Sequence, residues 1–503
     1  MSRINTNVQS LIAQRVLGQN NVGLNQSLER LSTGVRINRG KDDPAGLIAS
    51  EALRAEIKSL NSAVGNAERA DQVVNIAEGG LQEISSLLTE LQGLVTSTAN
   101  SAGLSASEKE ANQLQIDSIL QTVDRIAGSA SFQGNKLLNG TFDYTAENVA
   151  SGVENFRING AKFEGDQLSV DIVVTQSAQR GQLYLSAGGS NLNLGGSGSS
   201  FTIEIQGALG SRQLQFASST SLTEIATAIN NFSDVTGVTA SAGSTGISLI
   251  SSAYGSDEFV KVKVVSDGGI TGTGVGIYGF ESDDANTLNT TALSTFSDTA
   301  AANGVRDKGQ DIGATVNGVN ATADGRQIRI NTDVLDVQLS LDEETATALG
   351  SVAAFDITGG GADFQLASKV DIAGKVSIGI SNVATRNLGD NQIGFLDRLG
   401  SGKSFNVVDG NLTDAQKVVD EAIDQISSLR GRLGAFQRNT VGATIRSLGI
   451  AVENTAAAQS VIRDADFASE TAALTRSQIL VSAATNTLAL ANSQPQAALQ
   501  LLG

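Results

Sequence analysis

Leucine and valine residues near the start of the chain recur at intervals of seven, four, three and four positions, the apolar stripe of a coiled-coil helix. The stripe stops beside Gly34, and a cluster of charged residues with one proline follows it, as expected where a helix ends. The sequence therefore predicts a first helix that ends near Gly34. The stripe consists of Leu17, Leu24, Leu28, Leu31 and Val35, and the cluster consists of Arg36, Arg39, Lys41, Asp42, Asp43 and Pro44.

Two further helices are predicted in the first 140 residues. One runs from Pro44 to about Asn100, because proline is tolerated in the first turn of a helix. The other begins near Ser105, which forms a capping box with Glu108, and ends near Gly128. The predicted buried side of this last helix consists of Leu114, Ile116, Ile119, Leu120, Val123 and Ile126.

The end of the chain carries a second heptad pattern with very few charges. After Glu470 the only charged side chain is Arg476. A free helix of this kind would expose too much apolar surface, so we expect a partner surface to cover it. A helical bundle within one monomer would give the same local pattern and stays an alternative. The heptad positions are Leu474, Val481 and Leu488, with Ser477, Ala484 and Ala491 three residues after each.

The chain has three regions that differ in composition and in the pattern of apolar residues. Residues 1–140 and about 386–503 are helical in pattern, whereas about 141–385 are rich in Gly, Ser, Thr and Val. The two terminal patterns each lack a complete core, and we expect them to complete each other. The predicted fold is therefore a multidomain α+β chain: mainly α at both termini, in long antiparallel coiled-coil helices, with β-rich central domains.

Alternating residues predict strands in the middle of the chain. The alternation is clear in 201–206, 259–265 and 326–341, where Gly-containing pairs mark the turns. One short helix is predicted over 220–231, and the segment 188–200 reads as a linker or flexible loop.

Composition excludes several classes of function. Cysteine and histidine are absent, which excludes a thiol nucleophile, a histidine base and a His-ligated zinc site. The net charge of −18 disfavours nucleic acid and anionic membranes as partners. No signal peptide is visible, and no uncharged apolar run reaches the roughly 18 residues that would span a membrane. We therefore expect a chain that is cytosolic or exported without a cleaved signal, with no catalytic residue, metal or cofactor.

Two weak motifs are interpreted as ordinary surface features. Gly274, Gly276 and Gly279 match G-x-G-x-x-G, but acidic residues follow where a phosphate would lie, which favours a Gly-rich turn. Adjacent carboxylates could be acid/base groups or calcium ligands, but we expect exposed charges, free or paired with Arg39, Lys41 or Arg463. These carboxylates are Asp42 with Asp43, Asp283 with Asp284, and Asp464 with Asp466.

Both ends of the chain resemble bacterial flagellin. Residues 1–57 contain L-S-T-G-x-R-I-N followed by K-D-D, and residues 453–503, from ENTAAAQSV to LQLLG, resemble the carboxyl-terminal signature of the family. The segments 131–140 (SFQGNKLLNG) and 359–380 are also similar to flagellins. Residues 201–265 resemble the hook IN motif, a small β module.

The resemblance implies a non-enzymatic subunit that self-assembles into the hollow helical filament of the bacterial flagellum. Such a subunit is exported unfolded by the flagellar type III apparatus and acts outside the cell in motility. Its implied partners are copies of itself, the flagellar export chaperone, the filament cap and the hook-junction proteins. The terminal helices are expected to order only on assembly.

The resemblance also implies a division into layers. The inner coiled-coil core would be 1–40 plus 456–503, and the outer helical core with β elements would be 41–185 plus 360–455. Residues 186–359 would form variable, exposed β-rich domains. The apolar stripes would form the polymerisation core, and the charged cluster from Arg36 to Pro44 would connect the two layers.

One stretch departs from the family. Many flagellins carry an arginine that helps to bind a vertebrate innate receptor, and Glu90 stands in the aligned place. Leu94 is retained, and Gln115 stands where an acidic partner often occurs. Since an anion in place of a cation reverses the local field, we expect weak or absent receptor recognition.

Two other functions stay open at the level of sequence. A hook–filament junction protein shares the terminal helices, and copy number would distinguish it from a filament subunit. A filament subunit could also use its exposed middle for adhesion or glycan display.

Overall fold

Long helices lie at both ends of the chain and strands fill its middle, which confirms the predicted fold class. The computed structural model describes residues 6–100, 103–163, 165–196, 199–281 and 287–500, and the side chains of 495–500 are not described. The helices over these residues are α1 Val8–Thr33, α2 Pro44–Thr98, α3 Ala106–Ser129, α4 Leu222–Asn230, α5 Ser233–Thr236, α6 Thr299–Asn303, α7 Glu343–Thr347, α8 Leu412–Ala435, α9 Gly442–Arg463 and α10 Phe467–Gln500, with a 3-10 turn at Leu396–Leu399 and a π-helical turn at Phe436–Val441.

The chain divides into two units. One, here called the helical unit, holds the described residues up to Gln72, Phe364–Lys375 and the described residues from Gly434 onward. The other, here called the mixed unit, holds Val73–Asp363 and Val376–Leu433, and it contains the helices α3 to α8, apart from the last residues of α8, and most of the strands.

Local signals place the helix ends where the sequence predicts them. The side chain of Asn7 accepts a hydrogen bond from Ser10 N at the start of α1, and Gly34 ends this helix with φ 75°. Positive φ is a conformation that glycine adopts at no steric cost. Both parts of the capping box at Ser105 and Glu108 are formed at the start of α3.

Most strands belong to four sheets in the mixed unit. The strands are β1 Ser131–Phe132, β2 Asn135–Lys136, β3 Tyr144–Glu147, β4 Val153–Ala161, β5 Leu168–Gln176, β6 Gln182–Ser186, β7 Ser200–Gln206, β8 Ser211–Ala217, β9 Val238–Ala242, β10 Gly246–Ser251, β11 Phe259–Ser266, β12 Gly276–Phe280, β13 Leu288–Ser294, β14 Val305–Lys308, β15 Gly313–Val316, β16 Val319–Asn320, β17 Thr322–Asp324, β18 Gln327–Asn331, β19 Leu335–Leu341, β20 Gly350–Gly360, β21 Ala362–Gln365, β22 Lys375–Ile378, β23 Gly389–Asp390 and β24 Gly394–Phe395. The three stretches of predicted alternation form β7, β11 and the pair β18 and β19, because alternate residues of a strand point to opposite faces.

The four sheets pair into two sandwiches, each with its own apolar core. The first sandwich joins the sheets β16-β15-β5-β20-β3 and β17-β18-β19-β4, and residues such as Ile172 and Val337 from both sheets share one core. The second joins β13-β12-β6-β10-β9 and β14-β11-β7-β8, and Ile225 of α4 packs into the core between them. The central strands therefore bury one face each, as in other two-sheet proteins.

The helices of the mixed unit pack around fully buried leucine and isoleucine residues, among them Leu81 and Leu88 of α2 and Ile116 of α3. Arg430 of α8 donates from Nε and Nη2 to Glu78 Oε1 of α2, at 2.9 and 2.8 Å. This ion pair orients α8 along the second half of α2.

The packing corrects the predicted buried side of α3. Leu114 is 68% exposed, whereas Gln113 is 4% exposed. Gln113 stays buried because both ends of its amide are used: Nε2 donates to Leu399 O, and Oε1 accepts from Val407 N. A polar residue that is fully hydrogen-bonded can thus take a core position in place of a leucine.

Three predictions about the middle of the chain are also wrong: one about a linker and two about helices. The segment 188–200 is not a free linker, because Leu192 and Leu194 are buried in the core of the second sandwich. The strands are interrupted by α5, α6 and α7 as well as by α4. Helical structure does not resume at about 386: apart from one 3-10 turn, the chain forms loops and short strands until α8 begins at Leu412.

We predict that Ile116→Ala destabilises the mixed unit much more than Leu114→Ala. Removing the fully buried isoleucine leaves a cavity and costs about 2–5 kcal/mol, whereas the exposed leucine should cost less than about 0.5 kcal/mol. Denaturant unfolding followed by circular dichroism at the helical band measures both. Equal losses in the two variants would contradict this account of α3.

Candidate interaction surface

The terminal helices α1 and α10 pack against each other as an antiparallel pair. Near one end of the pair, Asn7 Nδ2 donates to Ala491 O at 2.7 Å, and Asn20 Nδ2 donates to Leu480 O at 3.4 Å further along. Near the other end, Arg30 forms an ion pair with Glu470 at 3.8 Å. The predicted mutual pairing of the two terminal patterns is therefore present within one chain.

The seam of this pair is lined at its most buried points by small side chains. Ser10, Ala13 and Ser27 of α1 are buried, as are Ala484 and Ala491 of α10. The larger heptad residues are only half-buried, because a two-helix seam leaves their outer sides open. These half-buried residues are Leu17, Leu24, Leu31, Leu474, Val481 and Leu488.

The register of α10 matches the sequence prediction, whereas that of α1 is shifted in part. Leu28, predicted in the stripe, is 46% exposed, and Ser27 beside it takes the seam position. Sequence reasoning missed Ser10, Ala13 and Ser27 because small residues do not register as an apolar stripe. Ala13 lies four residues before Leu17, Ser27 lies three after Leu24 and four before Leu31, and Ser10 lies seven before Leu17; this spacing is compatible with a seam but does not single these residues out.

The outer sides of the pair carry an apolar face, which we define as the exposed large apolar residues of α1 and α10. Ten such side chains are between 39% and 68% exposed. They are Val8, Leu11, Ile12, Val16, Val22, Leu28, Phe467, Ile479, Leu480 and Leu490. Such a concentration on one pair of helices is typical of a surface that another protein covers.

The segment between α1 and α2 is held to the segment between α9 and α10 by backbone contacts. Val35 and Asp464 form an isolated antiparallel bridge. Beside it, Arg36 N donates to Arg463 O at 2.6 Å and Ala465 N donates to Gly34 O at 2.9 Å. The end of α1 and the start of α10 are thus joined at one end of the helix pair.

In the described part of the chain, the charged residues of the cluster form none of the expected ion pairs with one another. Three of them instead contact backbone atoms, and Arg39 contacts Glu29 of α1. Arg39 pairs with Glu29 of α1 at 2.9 Å. Arg36 Nη2 donates to Ile462 O at 2.7 Å. Lys41 is exposed, and Pro44 is the first residue of α2.

The two carboxylates of the cluster cap backbone amides. Asp42 Oδ2 accepts from Asn38 N at 3.2 Å and from Arg39 N at 2.9 Å. Asp43 Oδ1 accepts from Gly46 N at 2.8 Å, which caps the first turn of α2. The bond from Arg39 N, with that from Asn38 N, lowers the pKa of Asp42 below its ordinary value of 3.8.

In the acidic pair Asp464 and Asp466, one carboxylate accepts from a side chain and the other from a backbone amide. Asp464 accepts from Ser460 Oγ at 2.6 Å, and Asp466 accepts from Ala468 N at 3.0 Å at the start of α10. Arg463, expected to pair with them, instead contacts Glu51 of α2 at 2.8 Å. The third pair, Asp283 and Asp284, lies outside the described residues.

The three residues of the predicted innate-receptor stretch lie on two helices of the mixed unit. Glu90 and Gln115 are exposed on α2 and α3, and Leu94 is half-buried. Asn112 Nδ2 donates to Thr98 Oγ1 at 2.9 Å, about one turn from both Leu94 and Gln115 along their helices. Leu94 and Gln115 therefore lie at a similar level along the two helices, and Glu90 lies one turn further from Thr98 along α2.

The motif formed by Gly274, Gly276 and Gly279 does not have the geometry of a phosphate site. Gly276 begins strand β12 rather than a helix, and Gly274 has φ 78°, as in a tight turn. A phosphate-binding G-x-G-x-x-G needs a helix at this point. The predicted Gly-rich turn is present only at Gly274, because Gly276 and Gly279 lie in β12. None of the helices in the described part of the chain has the length and apolarity to cross a membrane.

Family models match both ends of the chain and a part of its middle. The bacterial flagellin N-terminal helical region matches residues 4–143, and the bacterial flagellin C-terminal helical region matches 416–502. The flagellin hook IN motif matches residues 192–253, within the second sandwich. The matched ends contain α1 to α3 and α8 to α10, apart from the first residues of α8.

Curated flagellins are similar along the whole chain. Flagellin B of Vibrio anguillarum is 27% identical, with 99% of each chain covered. The B-type flagellin of Pseudomonas aeruginosa and the flagellin of Salmonella rubislaw are each 29% identical, again with 99% of each chain covered. With its terminal helix pair, its intervening β sandwiches and these three matching regions, the chain belongs to the bacterial flagellin family.

Proposed function

We propose that copies of this chain assemble into the flagellar filament through the apolar face of α1 and α10. Flagellins are structural proteins of the extracellular filament that drives motility, and similarity over the full length favours this function over that of a junction protein. The observation that carries the proposed contact is the exposure of ten large apolar side chains on one helix pair.

The apolar face provides the driving force for assembly. Burying one such side chain from full exposure contributes about 1.5–3 kcal/mol, and each of these side chains is about half exposed. Burial of most of the face is therefore needed to offset the roughly 4–15 kcal/mol that association costs. The polymerisation core then comprises both the half-buried seam residues and their exposed neighbours. In the filament, the half-buried leucines of the seam would gain contacts on their outer sides.

The same geometry supports ordering on assembly. The seam of the pair is small and its helices carry few buried residues, so the pair alone gains little from packing. In α9, none of the residues is buried, and Val461 is 82% exposed. We infer that these helices are stabilised mainly by neighbouring subunits.

The exposed apolar side chains of α10 would also favour aggregation before assembly unless another protein binds them. We propose that the flagellar export chaperone covers them in the cell, and that cap and hook-junction proteins meet the same surface at the two ends of the filament. The division into inner core, outer core and variable domains remains our proposal, since the two units divide the chain at other residues.

We predict that Ile479→Glu together with Leu490→Glu abolishes filament formation while the monomer keeps its helix content. Both residues are exposed in the monomer, at 64% and 66%, so the charges do not disturb its packing but would be buried in the polymer. Sedimentation and electron microscopy after seeding with filament fragments measure the outcome.

The matched control is Leu209→Glu with Leu349→Glu, which places the same charges at two leucines of the β-rich middle that are 67% and 68% exposed. This variant should polymerise like the parent. Normal filaments from the α10 variant, or equal loss in both variants, would refute the proposed contact.

We propose that the charged cluster acts as a fixed connector between α1 and α2. Asp42 is its central group, because one carboxylate oxygen holds two successive backbone amides. Ionisation of Asp42 is favoured in the folded chain, so its contribution is complete above the ordinary carboxyl pKa. The contribution is lost as the pH falls through the lowered pKa.

We therefore predict a pH-dependent effect of Asp42→Ala. The variant should melt at a lower temperature than the parent at neutral pH, and the difference should shrink as the pH falls below 3.8, the ordinary value for this carboxyl group. Thermal unfolding of the monomer at a series of pH values measures the difference. Asp42→Asn, which keeps an oxygen acceptor without charge, should retain part of the stability at every pH. A difference that persists unchanged in strong acid would contradict the role of the carboxylate.

We also propose that the surface around Glu90 recognises the vertebrate innate receptor weakly. An exposed carboxylate stands where many flagellins present a cation, which repels a receptor site built for a positive charge.

Glu90→Arg should raise the response of receptor-bearing cells to purified monomer by about tenfold, the effect of roughly 1.4 kcal/mol of restored contact. Glu83→Arg, an exposed position two turns earlier on α2, is the matched control and should change little. A potent response to the parent chain that Leu94→Ala removes would overturn the proposal.

A further inference from the structure

A cavity of about 300 Å³ lies within the mixed unit, apart from the apolar face. Its walls come from residues 143–144 at the start of β3, from β4, from the segment 381–391, from Phe395 and from α8. They include the carboxylates of Asp143 and Asp390, and Asp390 Oδ1 already accepts from two backbone amides. This volume is at the lower end of the range for small-molecule sites in proteins and suits a ligand of about monosaccharide size.

A buried cation lies at this cavity. Arg432, near the end of α8, lines it, and the Nε and Nη1 atoms of its guanidinium group are buried with no hydrogen-bond partner among the described residues. Donors of a charged group that are buried without acceptors cost free energy. The Nε and Nη1 donors of Arg432 would therefore be stabilised by a bound acceptor.

The neighbouring charges do not supply this acceptor. Asp143 accepts from the backbone amides of Tyr144 at 3.0 Å and Asn382 at 3.3 Å. Asp336 accepts from Asn159 Nδ2 at 3.1 Å. Within the described part of the chain, Arg432 forms no ion pair with either carboxylate.

A second arginine adds positive charge beside Arg432. Arg157 of β4 lines the same cavity, and Arg329 of β18 also acts electrostatically on Arg432. Burial, with repulsion from Arg157, lowers the pKa of Arg432 to about 10, against attraction from Asp336 and Asp143. Arg432 is therefore still charged at neutral pH, beside a like charge that a bound anion would offset.

The other walls suit a small polar molecule. Asn155, Asn387 and Asn391 bring amide groups that can donate to oxygen atoms or accept from hydroxyl groups. Phe156 and Phe395 provide an apolar wall. Cationic, amide and aromatic groups together are typical of sites that hold an anionic polar ligand.

We infer that this cavity binds a small molecule that carries an oxyanion, with the guanidinium groups of Arg432 and Arg157 donating to its phosphate, sulfate or carboxylate oxygen atoms. Arg432 binds the anion, and Arg157 supplies the second positive charge. All the lining residues of this site belong to the mixed unit.

Calorimetric titration of the full chain as monomer tests this inference. The probes are inorganic phosphate, sulfate and glucuronate, with glucose and with sodium chloride at matched ionic strength as uncharged and nonspecific comparisons. Saturable binding of at least one oxyanion is expected, and the probe that binds distinguishes an inorganic anion from an acidic sugar.

Arg432→Gln should weaken that binding by about tenfold to hundredfold, the effect of losing hydrogen bonds to a charged group. Arg157→Gln should weaken it in the same direction, and it serves as the second variant if Arg432→Gln fails to fold. Arg125→Gln, an exposed arginine of α3 away from the cavity, should bind like the parent.

Three results would overturn the inference: no saturable binding of any oxyanion, binding of glucose alone, or equal affinity in the Arg125→Gln, Arg157→Gln and Arg432→Gln variants. The thermal midpoint of the parent should also rise with the concentration of the bound oxyanion but not with chloride.

Discussion

The seam between α1 and α10 is built from serine and alanine at its most buried points, and this limits how much apolar surface one chain can cover at its ends. Two helices with small side chains approach closely but bury little area, so the larger residues remain on the outside. A single chain thus forms the pair without completing its core. This incomplete core is the physical basis of the proposed assembly through the apolar face of α1 and α10.

The mixed unit follows the opposite principle. Its helices enclose fully buried residues such as Leu81 and Leu88, and each β sandwich has its own closed core. Such packing needs no second copy. One sequence therefore combines a unit with closed apolar cores and a helix pair whose large apolar side chains stay partly exposed.

Charged side chains in this chain hold the backbone more often than they hold each other. Asp42, Asp43 and Asp466 accept from backbone amides at the ends of helices, where unpaired N–H groups need acceptors. Arg432 is the contrasting case, because its buried donors lack acceptors among the described residues. The first arrangement fixes the connections between helices, and the second marks a place suited to a ligand.

The amino-acid sequence by itself determined the long helices near both ends, α4, the strands β7, β11, β18 and β19, and the family, because heptad spacing, capping residues and alternation are local properties of the chain. It also determined the register of α10, where Leu474, Val481 and Leu488 repeat without interruption. Only the tertiary structure decided that Ser27 rather than Leu28 faces the seam, that Gln113 is buried and Leu114 exposed, and that Arg39 pairs with Glu29. It also brought Arg157 and Arg432, which are far apart in sequence, to one cavity. These outcomes depend on contacts between distant segments, and no spacing along the chain encodes which of several neighbouring residues a partner element will meet.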